Sequence, residues 1–503
     1  MYTHPLTELL KSFDKKELMR LGKYLNSPYF NNRKMLVRLF NILKRYHPDF
    51  DNKNFEKEKI FSLLYKNIKY NDSTFRNLMS DLLKLVKNFL KEEGIKKKEI
   101  ESSFYLTHEL FSRGSVNLFM NEMSRSENLL ENRDQIDGEY FINKFRIETD
   151  RFYLNLLTQK VLKKSYVTSE SEKLIKGITF ILCYFVIESV KHNDILLKYS
   201  RSYNINKNID TVKEFLELFN FEKIIHFFNK HSGIKVPIIE IYHKLLKTFL
   251  NLKNEKEYLE FKNLLIESSK NLGIIDNNFL HSKLIDYCIL KKNLGETKQL
   301  NLDREIFKLH DIFLKNEYFK TDINSYLTFD LYRNVLLNCI SVKELKYMED
   351  FIAEYSKKLI PQHIQNVENY SYALLYFEKK QFLKALNYLN KVKFDQFVYK
   401  LDMKNLQLKI NYELEYFESA ISIIDTYKHF LKNNQLISES RKELHKNFIS
   451  YSQKLIKLRT DATKSGIIFF REKLLNASNV FDKNWLLEKN GEIFANFKKN
   501  KVA

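Results

Sequence analysis

The side chains through which this chain could do chemistry are 12 histidines, three cysteines and 63 aspartates and glutamates. A helix-borne metal site needs two ligands at i and i+4, and a metalloprotease adds the glutamate of HExxH. The closest histidines, His226 and His231 in HFFNKH, stand five apart, and HExxH does not occur. Phosphate-cradling loops need glycine, because glycine alone takes positive φ without steric cost. The chain has 10 glycines and neither GxxxxGK[ST] nor GxGxxG. It also lacks GxSxG, the elbow that exposes a nucleophilic serine. The carboxylates of ELEYFE (residues 413–418) are spaced as on a solvated helix face. Cys183, Cys288 and Cys339 are far apart in apolar stretches, and no CxxC occurs. An odd, scattered set suits a reduced compartment. No catalytic residue, cofactor or metal is expected, and the chain reads as a non-enzyme.

What must position these side chains is helix. Ten Gly and five Pro in 503 residues compare with typical usage of about 7% and 5%. Without turn residues, short polar breaks between helices are the simplest construction. Hydrophobic residues make up 44% of the chain, enough to bury a core. The net charge is +21, with 22 basic and 12 acidic residues in 1–100, 5 and 10 in 101–150, and 11 and 5 in 451–503. Basic ends can attract nucleic acid or another acidic partner. Only 16 of the 84 basic residues are Arg, amid abundant Lys, Asn, Ile, Phe and Tyr, so the excess reads chiefly as composition and solubility. MYTHPLTELLKSFDKKEL carries no basic segment followed by an apolar one, so no signal peptide is expected. The most apolar run, Gly177–Ile187, is 11 residues between Lys176 and Glu188, against the 18 or so a membrane span needs. It is expected to be a helix buried on all sides, in a cytoplasmic protein without membrane contact.

Along the chain, a basic helical module is expected over 1–95, connecting helices over 96–168, a helical array over 169–460 and capping helices over 461–503. Asp14 is an expected N-cap, and Asp72 or Ser73 another. After the latter, Phe75, Leu78, Met79, Leu82, Val86, Phe89 and Leu90 form one helical stripe. The charged stretch Lys91–Ser103 around Gly94 is the boundary candidate. From about residue 169, amphipathic segments alternate with breaks such as KHND, NKHSG, KNLG, SVKE and KNNQ. Trp485 falls on a terminal amphipathic helix, read as a cap.

YFEKKQFLKALNYL and NYELEYFESAISII align at a spacing of 35 residues through Glu378/Glu413, Phe382/Phe417, Ala385/Ala420 and Leu389/Ile424. Such a period marks helical hairpins that bury one face against their neighbours. The first copy resembles a tetratricopeptide repeat. Ala373 is its small residue, Tyr376 its aromatic one, Phe382 opens the second helix, Ala385 packs closely and Leu389 is bulky. The second copy matches through Phe417, Ala420 and Ile424, but Leu408 and Asn411 replace the small and aromatic residues of its first helix. Further upstream, Met348 takes the alanine place 37 residues before Ala385, and Phe261 takes the small position of another copy. The resemblance implies an all-α superhelix that holds a protein or peptide partner along its surface.

The three helices within 36–90 resemble the helical part of a winged helix–turn–helix, which in some transcriptional activators precedes a tetratricopeptide-type domain. That resemblance implies Thr74, Arg76, Asn77, Ser80 and Lys84 facing a major groove, with Lys66 and Lys69 on phosphates. Three features depart from it: the recognition helix is long, no β-wing pattern follows, and Asp81 stands on the reading face. The same helices also suit a plain capping bundle.

Overall fold

The computed structural model describes residues 4–50, 55–133, 135–158, 164–202, 220–231, 237–295, 300–320, 326–393 and 397–502. All its regular structure is helical. The only β-type pairing among the described residues is an isolated bridge between Ile136 and Leu272. The chain divides into two units, residues 1–132 with 153–158 and residues 133–152 with 159–503.

The first unit contains α1 (Pro5–Lys11), α2 (Lys15–Asn26), α3 (Lys34–Lys44), α4 (Lys57–Leu64), α5 (Asp72–Lys97), α6 (Glu99–Ser112) and α7 (Val116–Glu131). Asp14 caps α2 in a capping box: it accepts from the Glu17 N–H at 2.7 Å, while Glu17 accepts from the Asp14 N–H at 2.9 Å. The cap of α5 is Asn71, one residue ahead of the expected pair, accepting from the Thr74 N–H at 2.9 Å. The stripe Phe75, Leu78, Met79, Leu82, Val86 and Phe89 is buried against α1–α4. The expected boundary at residue 95 falls inside α5. Residues 91–104 are helical apart from Lys98, where α5 gives way to α6. The unit continues through the α6–α7 pair, where the Ser103 hydroxyl lies 2.6 Å from Glu122 and 2.5 Å from the Ser126 hydroxyl.

Of α8 (Gly138–Thr158), residues up to Phe152 belong to the second unit and the rest to the first, and the second unit continues with α9 (Lys164–Ser202). KHND, expected as a break, lies within α9. The run Gly177–Ile187 is not buried all round: Thr179, Cys183, Val186 and Ile187 are covered, but Ile178 is 50% and Phe185 38% exposed. A helix packed on one side covers only the residues that recur on that side. No helix among the described residues is long and apolar enough to cross a membrane. The break NKHSG runs into residues outside those described.

After α10 (Phe221–His231), helices pack in successive pairs: α11 (Pro237–Leu250) on α12 (Glu255–Ser268), α13 (Ile274–Asn293) on α14 (Leu302–Lys315), α15 (Phe329–Val342) on α16 (Leu345–Tyr355), α17 (Ile364–Glu378) on α18 (Phe382–Leu389) and α19 (Phe397–Glu413) on α20 (Phe417–Asn433). From α12 onward the second helix of a pair meets the first helix of the next, and α17 touches both α15 and α19. The unit ends in α21 (Glu439–Thr460), α22 (Lys464–Asn476) and α23 (Lys483–Val502). It is an all-α array of stacked pairs with one core over Phe141–Leu309 and another over Phe313–Ile493.

The same turn joins three of these pairs. Lys343, Lys380 and Glu415 adopt left-handed φ of 61°, 57° and 59°. The following N–H bonds back five residues in each: Glu344 to Cys339 at 2.9 Å, Gln381 to Tyr376 at 2.8 Å and Tyr416 to Asn411 at 2.8 Å. Glycine is the usual residue at such positions. This chain uses lysine and glutamate, which explains how it turns with so few glycines. Five residues after each turn comes a fully buried residue, Met348, Ala385 and Ala420.

Candidate functional site

The first helices α15, α17 and α19 carry equivalent residues in register. Arg333, Tyr370 and Asn405 form one row, Leu337, Leu374 and Lys409 the next, and Ser341, Glu378 and Glu413 a third. Within each helix the three positions are four apart, so they share a face. Between helices they step by 37 and 35 residues, the spacing of the turns. All nine line one cavity of about 760 Å³, to which α14 adds His310 and α23 adds Trp485.

The groove is tied across by charge. Arg333 grips Asp402 with two nitrogens, Nη2 lying 2.7 Å from Oδ1. Burial works against the Arg333 charge, but Asp402 outweighs it and holds the guanidinium above its usual value. Lys409 meets Asp482 at 2.6 Å, with its ammonium 4.7 Å from the Phe377 ring centroid and 5.9 Å from that of Trp485. Glu413 accepts the Trp485 indole N–H at 2.9 Å and pairs with Lys489 at 2.9 Å. The rings of Phe329 and Tyr399 stand 4.0 Å apart. The partners Arg333/Asp402, Phe329/Tyr399, Glu413/Trp485 and Lys409/Asp482 are 69, 70, 72 and 73 residues apart. These separations are close to two repeats, so each tie passes over one helical pair.

Glu378 differs from its counterpart. It is half-buried, lines the groove and has no hydrogen-bond or ion-pair partner among the described residues. Burial pushes its carboxyl above the usual range, Lys409 draws it down, and Asp482 and Glu488 add to the rise.

The residues expected to pack the repeat are in the core: Ala373, Ala385, Ala420, Leu389 and Ile424 are buried. Tyr376 stacks on Tyr388 at 5.4 Å, Phe382 lies 5.5 Å from Phe377, and Phe417 lies 6.1 Å from Tyr412. Phe261 is also fully buried. Two expectations need correction. Glu413 of ELEYFE is not on a solvated face, because α23 covers it. Trp485 does more than cap, since its indole forms part of the groove wall. Neither was readable from spacing, because both depend on α23 returning to α19. The signal that was available is the shared Glu378/Glu413 position.

In the first unit, Asn77, Ser80 and Lys84 share one exposed face of α5, with Thr74 half-buried near its start. Arg76 is exposed and turned to Asp72 at 2.9 Å. Lys66 and Lys69 are exposed on the α4–α5 turn. Lys66, Lys69 and Lys84 have no ion-pair partner among the described residues. Asp81 pairs with Arg33. The residues named for a nucleic-acid face are therefore at the surface, and helix occupies the place where a wing was sought.

The cysteines and three of the histidines elsewhere are buried. Burial pushes the thiols of Cys183, Cys288 and Cys339 up to about 12. It pulls His281, His310 and His445 down to about 4. His445 Nδ1 lies 2.9 Å from the Tyr427 hydroxyl, inside the core. His226 is exposed. Compared with known proteins, the chain matches no family model, no curated protein and no solved structure.

Proposed function

We propose that the chain is a non-enzymatic interaction protein, a tetratricopeptide-like α-solenoid whose second unit holds a protein or peptide partner in the groove of α15, α17 and α19. The observation that carries this is the three rows of side chains in repeated register around a cavity of about 760 Å³. The recurring left-handed turns at Lys343, Lys380 and Glu415 support the repeat itself. A groove of this size with apolar, aromatic and charged walls suits a peptide segment or a partner's helix. A photo-crosslinking residue at Asn334, in the groove, should capture a defined protein in cells. The same residue at Lys346, exposed on α16, should not. Equal capture from both positions, or none from Asn334, would refute the groove.

A second reading is a nucleic-acid-binding regulator in which the first unit is winged-helix-like. The unpaired Lys66, Lys69 and Lys84 support it, and the helix over 91–97 weighs against it. Purification of the tagged protein with and without nuclease, at about 150 mM salt, where weak phosphate contacts are largely screened, separates the two. Nucleic acid that co-elutes from the wild type, and not from a Lys66→Ala, Lys69→Ala, Lys84→Ala variant, favours this second reading.

A further inference from the structure

Glu378 and Glu413 occupy the same place in successive helical pairs, 35 residues apart. Glu413 is filled from within. On α23, Trp485 and Lys489 stand four residues apart, so one turn of helix presents both. Trp485 gives its indole N–H and Lys489 its ammonium to the Glu413 carboxylate, each at 2.9 Å. Among the described residues none gives such a donor to Glu378. The charges that act on Glu378 are those of Lys409, Asp482 and Glu488, and Lys409 is already paired with Asp482. The whole lining carries six acids and six cations, and Glu378 is the one of these acids with no hydrogen-bond or ion-pair partner among the described residues. The face of Phe377 lies next to it, already approached by one ammonium, that of Lys409, at 4.7 Å.

We propose that Glu378 is a docking point for a partner protein's segment that presents a lysine or arginine with an aromatic residue one helical turn before it. That segment meets α17 as α23 meets α19. The proposal rests on the groove being the binding surface, and it adds the chemistry of what enters. Glu378 is the position where the chain leaves a carboxylate that it satisfies one repeat later. The internal Trp485–Lys489 pair is a template for the ligand.

The probe is a fluorescein-labelled peptide with the sequence of residues 481–498, titrated into the full-length protein. Saturable binding is expected. Glu378→Gln should weaken it by about tenfold or more, the scale of one charge-assisted hydrogen bond, whereas Glu418→Gln, on the exposed face of α20, should not. A peptide with Lys489→Glu should fail on the wild type and bind the Glu378→Lys protein. The unfolding midpoint of Glu378→Gln should not fall, because Glu378 has no hydrogen-bond or ion-pair partner among the described residues. Absence of saturable binding, indifference to Glu378→Gln, or no rescue by the charge swap would overturn the proposal. A partner that still crosslinks at Asn334 in Glu378→Gln with undiminished yield leaves the groove standing and sinks this inference alone. No crosslink at Asn334 in either protein removes both.

Discussion

The two units treat the same lysine-rich composition in opposite ways. In the first, Lys66, Lys69 and Lys84 stand in water around a continuous apolar core, and the Arg33–Asp81 pair is exposed. In the second, Arg333, Lys409 and Lys489 are drawn into the groove and tied to carboxylates about two repeats away. Charge is surface in one and cross-bracing in the other. Net charge is therefore a poor guide to what a charged residue does, and the informative quantity is how far along the chain its partner lies.

The sharpest contrast is in acid. His281, His310 and His445 all lie in the second unit, with pKa values of about 4 when folded, against about 6.5 unfolded. Their neutral forms favour the fold. Protons bind the unfolded state first, so stability is lost as pH falls from about 6.5 towards 4, at about 1.4 kcal/mol per pH unit for each histidine. In the first unit His4 is also pulled down, by partial burial and Lys57, but less far. Asp14 is held low chiefly by the Glu17 N–H and Asp72 by the Tyr70 hydroxyl, so those two keep their contribution until pH falls below the usual carboxylate range. At pH 5, urea should release Trp485 fluorescence well before α5 amides exchange. Coincident transitions would break the comparison.

Next in size is Asp402→Ala, which leaves the Arg333 guanidinium unpaired in the groove wall and should cost about 3 kcal/mol. Its counterpart Asp81→Ala, in an exposed pair, should cost less than about 1 kcal/mol. Denaturant midpoints followed unit by unit would show whether the braces deserve the contrast. Smaller is Gly273→Ala. An added Cβ would lie 2.8 Å from Asp137 Cβ, at the Ile136–Leu272 bridge, and the crowding should cost about 1–3 kcal/mol. The smallest effect has the other sign. Lys380→Gly relieves a left-handed non-glycine residue at about 1–2 kcal/mol and gives back part of it in chain entropy. A net gain of about 0.5 kcal/mol should appear as a slightly higher melting temperature.

Much of the array was legible in the sequence. The 35-residue match placed Phe382, Ala385, Phe417 and Ala420 at the starts and close contacts of second helices, and Met348 follows its turn in the same register. The α5 stripe and the Asp14 cap were equally plain. Charged and amide-rich stretches were misleading. KHND lies within α9 and Gly94 within α5. Lysine and glutamate neighbours are good helix formers, and one exposed glycine costs a helix only about 1 kcal/mol. The groove was out of reach for another reason. Register along each helix can be read from spacing, but which helix meets the one after next depends on how tightly the array coils, and no single residue encodes that.

The ties across the groove also change the statistics of unfolding. A repeat array in which each unit touches only its neighbours behaves as a one-dimensional lattice, so its ends fray and its middle can melt locally. Here Arg333 is satisfied 69 residues on, at Asp402, and Glu413 72 residues on, at Trp485. Couplings of that reach make the array a next-nearest-neighbour lattice. Deleting one helical pair would disturb the pairs on both sides and the contact that bridges them, so this stretch should melt as one block, without a repeat-by-repeat zipper.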